Sequence, residues 1–236
     1  AEKVTADRKI FIGSPEGIKE AAFRAIKRGS ELIDMRKHSG AHARMGATDV
    51  CPFIPVSGVT MEECVKISEE VGERVARELH IPVYLYEYSA KCEERRNLAN
   101  IREGEYEGLS EKLKDPRWKP DFGEAEFNAA SGATVMGARE FLIAYNINLN
   151  TTDTKMAKSI ANTIREKGKV KRDAAGKIVK DSEGNKVMEP GLFNHCKATG
   201  WYIDQYKQAQ VTMNLTNYKV TPPHLVFDAV CDLASK

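Results

Sequence analysis

Residues 7–88 alternate between two hydrophobic periods, and this restricts the chain to a fold in which helices lie on a sheet. Residues 7–12 (DRKIFI) read as a short strand ending at Gly13. Ser14-Pro15-Glu16 then reads as a helix start, with Ser14 as N-cap and Pro15 in the first helical position. Ile18, Ala22, Phe23, Ala25, Ile26 and Ile33 keep one helical face apolar to about Met35. Residues 49–56 (DVCPFIPV) are extended and apolar, and their two prolines suit an edge or a strand end. Thr60 and Glu63 form a capping box ahead of a helix whose stripe is Cys64, Val65, Val71, Val75 and Leu79. Residues 82–88 (PVYLYEY) return to β-formers. The order β-α-β-α-β predicts an α/β unit.

The pattern then breaks. Residues 91–121 are charged and lack a sustained period, so they read as a long connection with short helical turns. Residues 122–137 (FGEAEFNAASGATVMG), rich in Gly and Ala, read as a loop of functional length. From Arg139 a second unit follows: a strand over 141–150, then a helix over 152–166 with Met156, Ile160 and Ile164 inward. The turn signals AAGK and SEGNK predict a protruding hairpin or meander over 169–190. Strands at 202–203 and 210–218 precede a last helix, from Thr221-Pro222 through Leu233, with Leu225, Val226 and Val230 inward. The expected architecture is two α/β halves, residues 1–137 and 138–236, the first ending in the glycine-rich connector. A chain of 236 residues buries a sizeable core without disulfides or metals.

Composition removes several classes of function. Thirty-six Lys and Arg against 34 Asp and Glu give a net charge of +2, too even for a dedicated nucleic-acid binder. No apolar run approaches the roughly eighteen residues of a membrane span, and residues 1–11 lack the apolar stretch of a secretory signal. A cytoplasmic protein that engages neither membrane nor nucleic acid is expected. Five cysteines, with no C-x-x-C, suggest neither a disulfide framework nor a thiolate zinc site.

Local motifs do not name a reaction. His38 and His42 are four apart, but Gly40 lies between them and only Asp49 is near enough to extend a metal set, so no metal is expected. His42 has Arg44, Gly46 and Asp49 beside it, a neighbourhood suited to a small anion; a structural role for a lone loop histidine is the competing reading. His80 falls at a helix end, where it would satisfy carbonyls, and neither His195 nor His224 has a functional signal. GATVMG (132–137) lacks both the Lys-Ser/Thr and the preceding strand of a phosphate loop. Eight Lys and Arg over 165–186 are interspersed with acids and have no aromatic residues between them, the pattern of a solvated face.

A resemblance goes further. Residues 21–56, AAFRAIKRGSELIDMRKHSGAHARMGATDVCPFIPV, resemble the glutamate formiminotransferase family, with the motif GxHxRMGAxDVCPFIPV. REGEYEGL (102–109), PDFGEAEFNAASGATVMGAREFLIAYNINL (120–149) and GWYIDQYKQAQVTMNLTNY (200–218) are similar to the same family, in order, over nearly the whole chain. The resemblance implies two ferredoxin-like α/β subdomains with a substrate tunnel between them. It also implies a homodimer, and transfer of a formimino group between N5 of tetrahydrofolate and the amino group of L-glutamate in histidine degradation. Set beside that family, the chain is expected to be truncated at both ends, with a bacterial-type elaboration at 169–190. Ala43 stands where the family often has Pro.

The resemblance places the catalytic histidine at His42 and the folate-binding segment at Gly123, Glu124, Ala125, Glu126, Phe127, Asn128, Ala129, Ala130, Ser131 and Gly132. A histidine titrates near neutrality, so it can take a proton from one nitrogen and return one to the other. Arg44 is expected to hold a substrate carboxylate. Asp49 either orients the His42 ring or neutralises Arg44. Gly123 and Gly132 would let backbone approach the flat pterin and offer N–H donors. Asn146 and Asn148 share a strand face and, with Gln210, either line the cleft or form plain strand surface. The alternatives to formimino transfer are a folate-binding relative without turnover and a related formyltransferase.

Overall fold

The computed structural model describes residues 9–39 and 43–235. The chain divides into two compact units, residues 1–139 and 140–236.

The first unit is built on a three-stranded parallel sheet in the order β1 (Val50–Phe53), β3 (Thr134–Ala138), β2 (Val83–Leu85). Parallel sheets bury both faces, and this one does. On one face lie Phe53, Val83, Leu85, Met136 and Ala138, packed against α1 (Pro15–Leu32) and α2 (Met61–Leu79). On the other, Tyr84, Tyr86 and Val135 meet Met45, Ile101, Leu109, Leu113 and Trp118. Those partners come largely from the segment between β2 and β3, which holds α3 (Glu93–Arg96), α4 (Leu98–Ile101) and α5 (Glu105–Lys112). Both helix starts behave as read: Ser14 Oγ accepts from Gly17 N, and Thr60 and Glu63 close a reciprocal capping box.

Three expectations change here. Residues 9–12 are not a strand; Ile10, Phe11 and Ile12 are exposed, and residues 7 and 8 lie outside the described set. The first helix stops at Leu32, and Met35 opens a short 3-10 turn. The glycine-rich connector ends as a strand: TVMGA is β3, the buried centre of the sheet. Small residues are needed at that position, because a Cβ on Gly137 would fall 2.3 Å from the Tyr86 carbonyl oxygen.

The second unit is an antiparallel sheet in the order β4 (Ile143–Asn148), β8 (Gln208–Leu215), β7 (Cys196–Ile203). α6 (Thr154–Ile164) and α7 (Pro223–Ala234) contribute Ala157, Ile160, Ile164, Val226 and Val230 to a core with Ile147, Val211, Met213 and Leu215. β7 begins six residues before the strand read at 202–203. Gly200 explains its close fit, since a Cβ there would meet the Ala157 backbone carbon at 2.3 Å. The meander joins β5 (Lys169–Val170) to β6 (Met188–Glu189). Its two turns are alike: Asp173 Oδ1 accepts from Ala175 N and Lys177 N, and Asp181 Oδ1 from Glu183 N and Asn185 N. Gly176 and Gly184 take the positive φ that each turn requires. Among the described residues no helix is long and apolar enough to cross a membrane.

Candidate active site

β1 and β3 run parallel, so the segments that enter them meet at one end of the sheet. The first is the motif loop, of which residues 43–49 are described; His42, with Gly40 and Ala41, lies outside the described residues. The second is the segment 123–132. Ala47 N donates to Ser131 O at 2.9 Å, Ala133 N to Met45 O at 3.1 Å and Val135 N to Asp49 O at 3.0 Å. Met45 is fully buried at this junction, and Gly46 bridges Gly132.

The charged groups of the motif loop are taken by the segment 102–107. Arg44, 15% exposed, donates through Nη1 to Glu105 Oε2 and Glu107 Oε2, both at 3.0 Å, and through Nη2 to Glu107 Oε1 at 2.5 Å. The Arg44 hydrogen bond holds the Glu107 carboxyl below its usual value, and Glu107 in turn raises the guanidinium. Asp49 accepts from Met45 N at 3.0 Å through Oδ1 and pairs with Arg102, whose Nε and Nη2 face its two oxygens. Asp49 therefore neutralises Arg102, not Arg44. The Arg44 fork, expected to hold a substrate carboxylate, is already filled by carboxylates of the chain.

The backbone on either side of Arg102 is held by Lys112. Lys112 Nζ caps the end of α4 by donating to the carbonyls of Asn100, Ile101 and Glu103, and it sits 3.9 Å from the Trp118 ring centroid. Burial pushes its ammonium pKa down.

Within the segment 123–132, Gly123, Glu124, Ala125, Glu126 and Phe127 are exposed, while Ser131 and Gly132 are buried. Phe127 lies 5.4 Å from the Tyr106 ring. Asn128 Oδ1 accepts from Ser131 N, and its Nδ2 donates to His80 O, closing the turn. Gly132 does not offer the donor expected of it. Its N–H is given to Asn128 O at 2.6 Å, and its Cα faces the Met45 carbonyl. Its freedom from a side chain serves the crossing of two chain segments.

In the second unit, Gln210 Nε2 donates to Asn148 Oδ1 at 2.7 Å and Trp201 Nε1 to Gln210 Oε1 at 2.8 Å. Asn146 stands opposite Thr212 on the same face, away from α6 and α7. His195 takes a positive φ and donates its N–H to Glu166 Oε2. No group of three or more His, Cys, Asp or Glu among the described residues is arranged to hold a metal ion.

REGEYEGL carries no local sign of the roles that Arg102, Glu105, Tyr106 and Glu107 take here. The available signal is an aromatic residue set between two acids, four residues after an arginine.

Two α/β units, with a conjoined pair of loops at one end of a parallel sheet, define the class of molecule. The formiminotransferase domain, N-terminal subdomain, matches residues 4–139, and the formiminotransferase domain matches residues 144–236. The chain belongs to the formiminotransferase family. It is 48% identical over 218 residues to formimidoyltransferase-cyclodeaminase of Dictyostelium discoideum, covering 92% of this chain and 37% of that protein. It is 41% identical over 226 residues to glutamate formimidoyltransferase of Streptococcus pyogenes serotype M1, covering 95% of this chain and 68% of that one. Against the glutamate formimidoyltransferase of Thermoplasma acidophilum the identity is 40% over 213 residues, 89% of this chain and 63% of that one. The chain thus spans little more than a third of the cyclodeaminase relative and about two thirds of the other two.

Proposed function

We propose that the protein is a glutamate formimidoyltransferase, moving a formimino group between N-formimino-L-glutamate and tetrahydrofolate. One observation carries the reading: the motif loop and the segment 123–132, far apart in sequence, are tied by backbone hydrogen bonds at the mouth of one sheet. The names of its relatives support the same chemistry.

In this reading tetrahydrofolate rests on the exposed stretch 123–127, where Phe127 offers a ring face to a flat heterocycle. N5 adds to the formimino carbon, and His42 takes the N5 proton. The tetrahedral intermediate then collapses with loss of the glutamate nitrogen, which receives that proton from His42. One titratable ring serves both steps, and the reverse reaction uses the same transfers. Arg44 and Asp49 hold the loop that follows His42 through their bonds to Glu105, Glu107 and Arg102. The reading places the protein in histidine degradation, in the cytoplasm, as a homodimer.

The test is turnover of N-formimino-L-glutamate with tetrahydrofolate by the parent chain and by His42→Ala. The parent is expected to consume the donor above a no-enzyme control. His42→Ala is expected to lose about 10²–10⁴-fold in kcat while still binding tetrahydrofolate. Near-parental turnover in that variant would remove His42 from its assigned role.

A further inference from the structure

The turn that closes the segment 123–132 has four consecutive carbonyls, each of which accepts a hydrogen bond. Asn128 O accepts from Gly132 N at 2.6 Å, Ala130 O from Met35 N at 2.8 Å and Ser131 O from Ala47 N at 2.9 Å. Ala129 O accepts from the Tyr106 hydroxyl at 2.6 Å. The other three donors are backbone groups; of these four donors Tyr106 uses a side chain. Its own N–H donates to Arg44 O at 2.8 Å, so one residue touches both halves of the site.

The local backbone is arranged for this. Gly104 and Glu105 both take positive φ, 86° and 55°, a conformation unfavourable for the second of them. The pair of left-handed residues turns the chain into α5 with Glu105 and Glu107 on Arg44 and the Tyr106 ring beside Phe127.

We propose that Tyr106 is a positioning residue, whose hydroxyl holds the segment 123–132 in register with the motif loop. The proposal rests on the reading of that segment as the tetrahydrofolate site. The Tyr106 hydroxyl acts through Ala129 O alone, whereas its N–H on Arg44 O and its ring beside Phe127 do not depend on that hydroxyl. Removing its hydroxyl therefore loosens the folate side and leaves the motif loop on its own bonds to Arg102, Glu105 and Glu107.

The experiment compares Tyr106→Phe with Tyr84→Phe in the whole chain. Tyr84 makes an equivalent bond, hydroxyl to Trp118 O at 2.7 Å, in the buried core of the same unit. Tyr106→Phe is expected to raise both the Kd and the KM for tetrahydrofolate about three- to tenfold, the loss of one neutral hydrogen bond. Its kcat and its KM for N-formimino-L-glutamate are expected to stay within about twofold of the parent. Tyr84→Phe is expected to lower Tm and leave the tetrahydrofolate Kd unchanged.

The proposal is overturned if Tyr106→Phe keeps the parental Kd for tetrahydrofolate. It is also overturned if both KM values rise together in step with a fall in Tm, as a purely structural loss would produce. A parent chain that neither binds tetrahydrofolate nor transfers the group would overturn the functional reading itself, and this proposal with it.

Discussion

Gly46 and Gly132 cross so closely that neither can carry a side chain. A Cβ on Gly132 would lie 2.0 Å from Met45 O and 2.8 Å from the Gly46 Cα, and one on Gly46 would lie 2.4 Å from both Ser131 O and Ala133 O. Gly132 also has a φ of +67°, in the left-handed region. Since every obstructing atom is backbone, no rotamer change relieves the overlap. Gly132→Ala is expected to cost about 3 kcal/mol or more, through strain and displacement of the loop together. Urea unfolding measures it, and a loss under about 1 kcal/mol would mean that the two segments part easily.

That crossing shows what a single sequence reveals and what it withholds. Helix starts were legible because their chemistry is local: Ser14 and Pro15, and Thr60 with Glu63, act within one turn. The Asp-x-x-Gly turns of the meander were legible for the same reason. β3 was not, since Thr134–Ala138 has small residues and a glycine within it, and the reason for Gly137 is the Tyr86 carbonyl opposite, which no local pattern shows. The apolar run at 10–12 looked like a strand, but hydrophobicity does not supply a pairing partner. The residues of the motif were readable by resemblance. Their partners were not, because Arg44 and Glu107 are 63 positions apart, and no local pattern links them.

The Arg44–Glu107 pair predicts a pH dependence of stability. The Arg44 hydrogen bond depresses the Glu107 carboxyl below its ordinary 4.5 in the folded chain. A depressed folded value means that the unfolded chain binds the proton more readily. The pair's stabilisation is therefore complete above the unfolded value and is lost as pH falls through the folded one. Glu107 is 61% exposed, so the contribution is under about 1 kcal/mol. Asp34, held at about 2 by the hydrogen bonds of Arg36, acts in the same direction but is present in parent and variant alike. The Tm gap between the parent and Glu107→Gln is expected to be widest near neutrality and to close in acid. A gap that widens in acid would contradict the sign of the shift.

Arg44→Lys separates the two roles open to this arginine. An ammonium cannot reproduce the fork that meets both oxygens of Glu107 and one of Glu105. If Arg44 holds the loop that follows His42, the lysine variant loses kcat, about tenfold or more for a displacement of a fraction of an ångström, with little change in the KM for N-formimino-L-glutamate. If Arg44 instead grips a substrate carboxylate, that KM rises. Glu107→Gln sharpens the contrast, because the glutamine leaves the guanidinium partly free. A carboxylate-binding Arg44 would then bind N-formimino-L-glutamate more tightly, whereas a loop-holding Arg44 would lose part of the same kcat as Arg44→Lys. The filled fork predicts the second result, and steady-state kinetics on the two variants decides it.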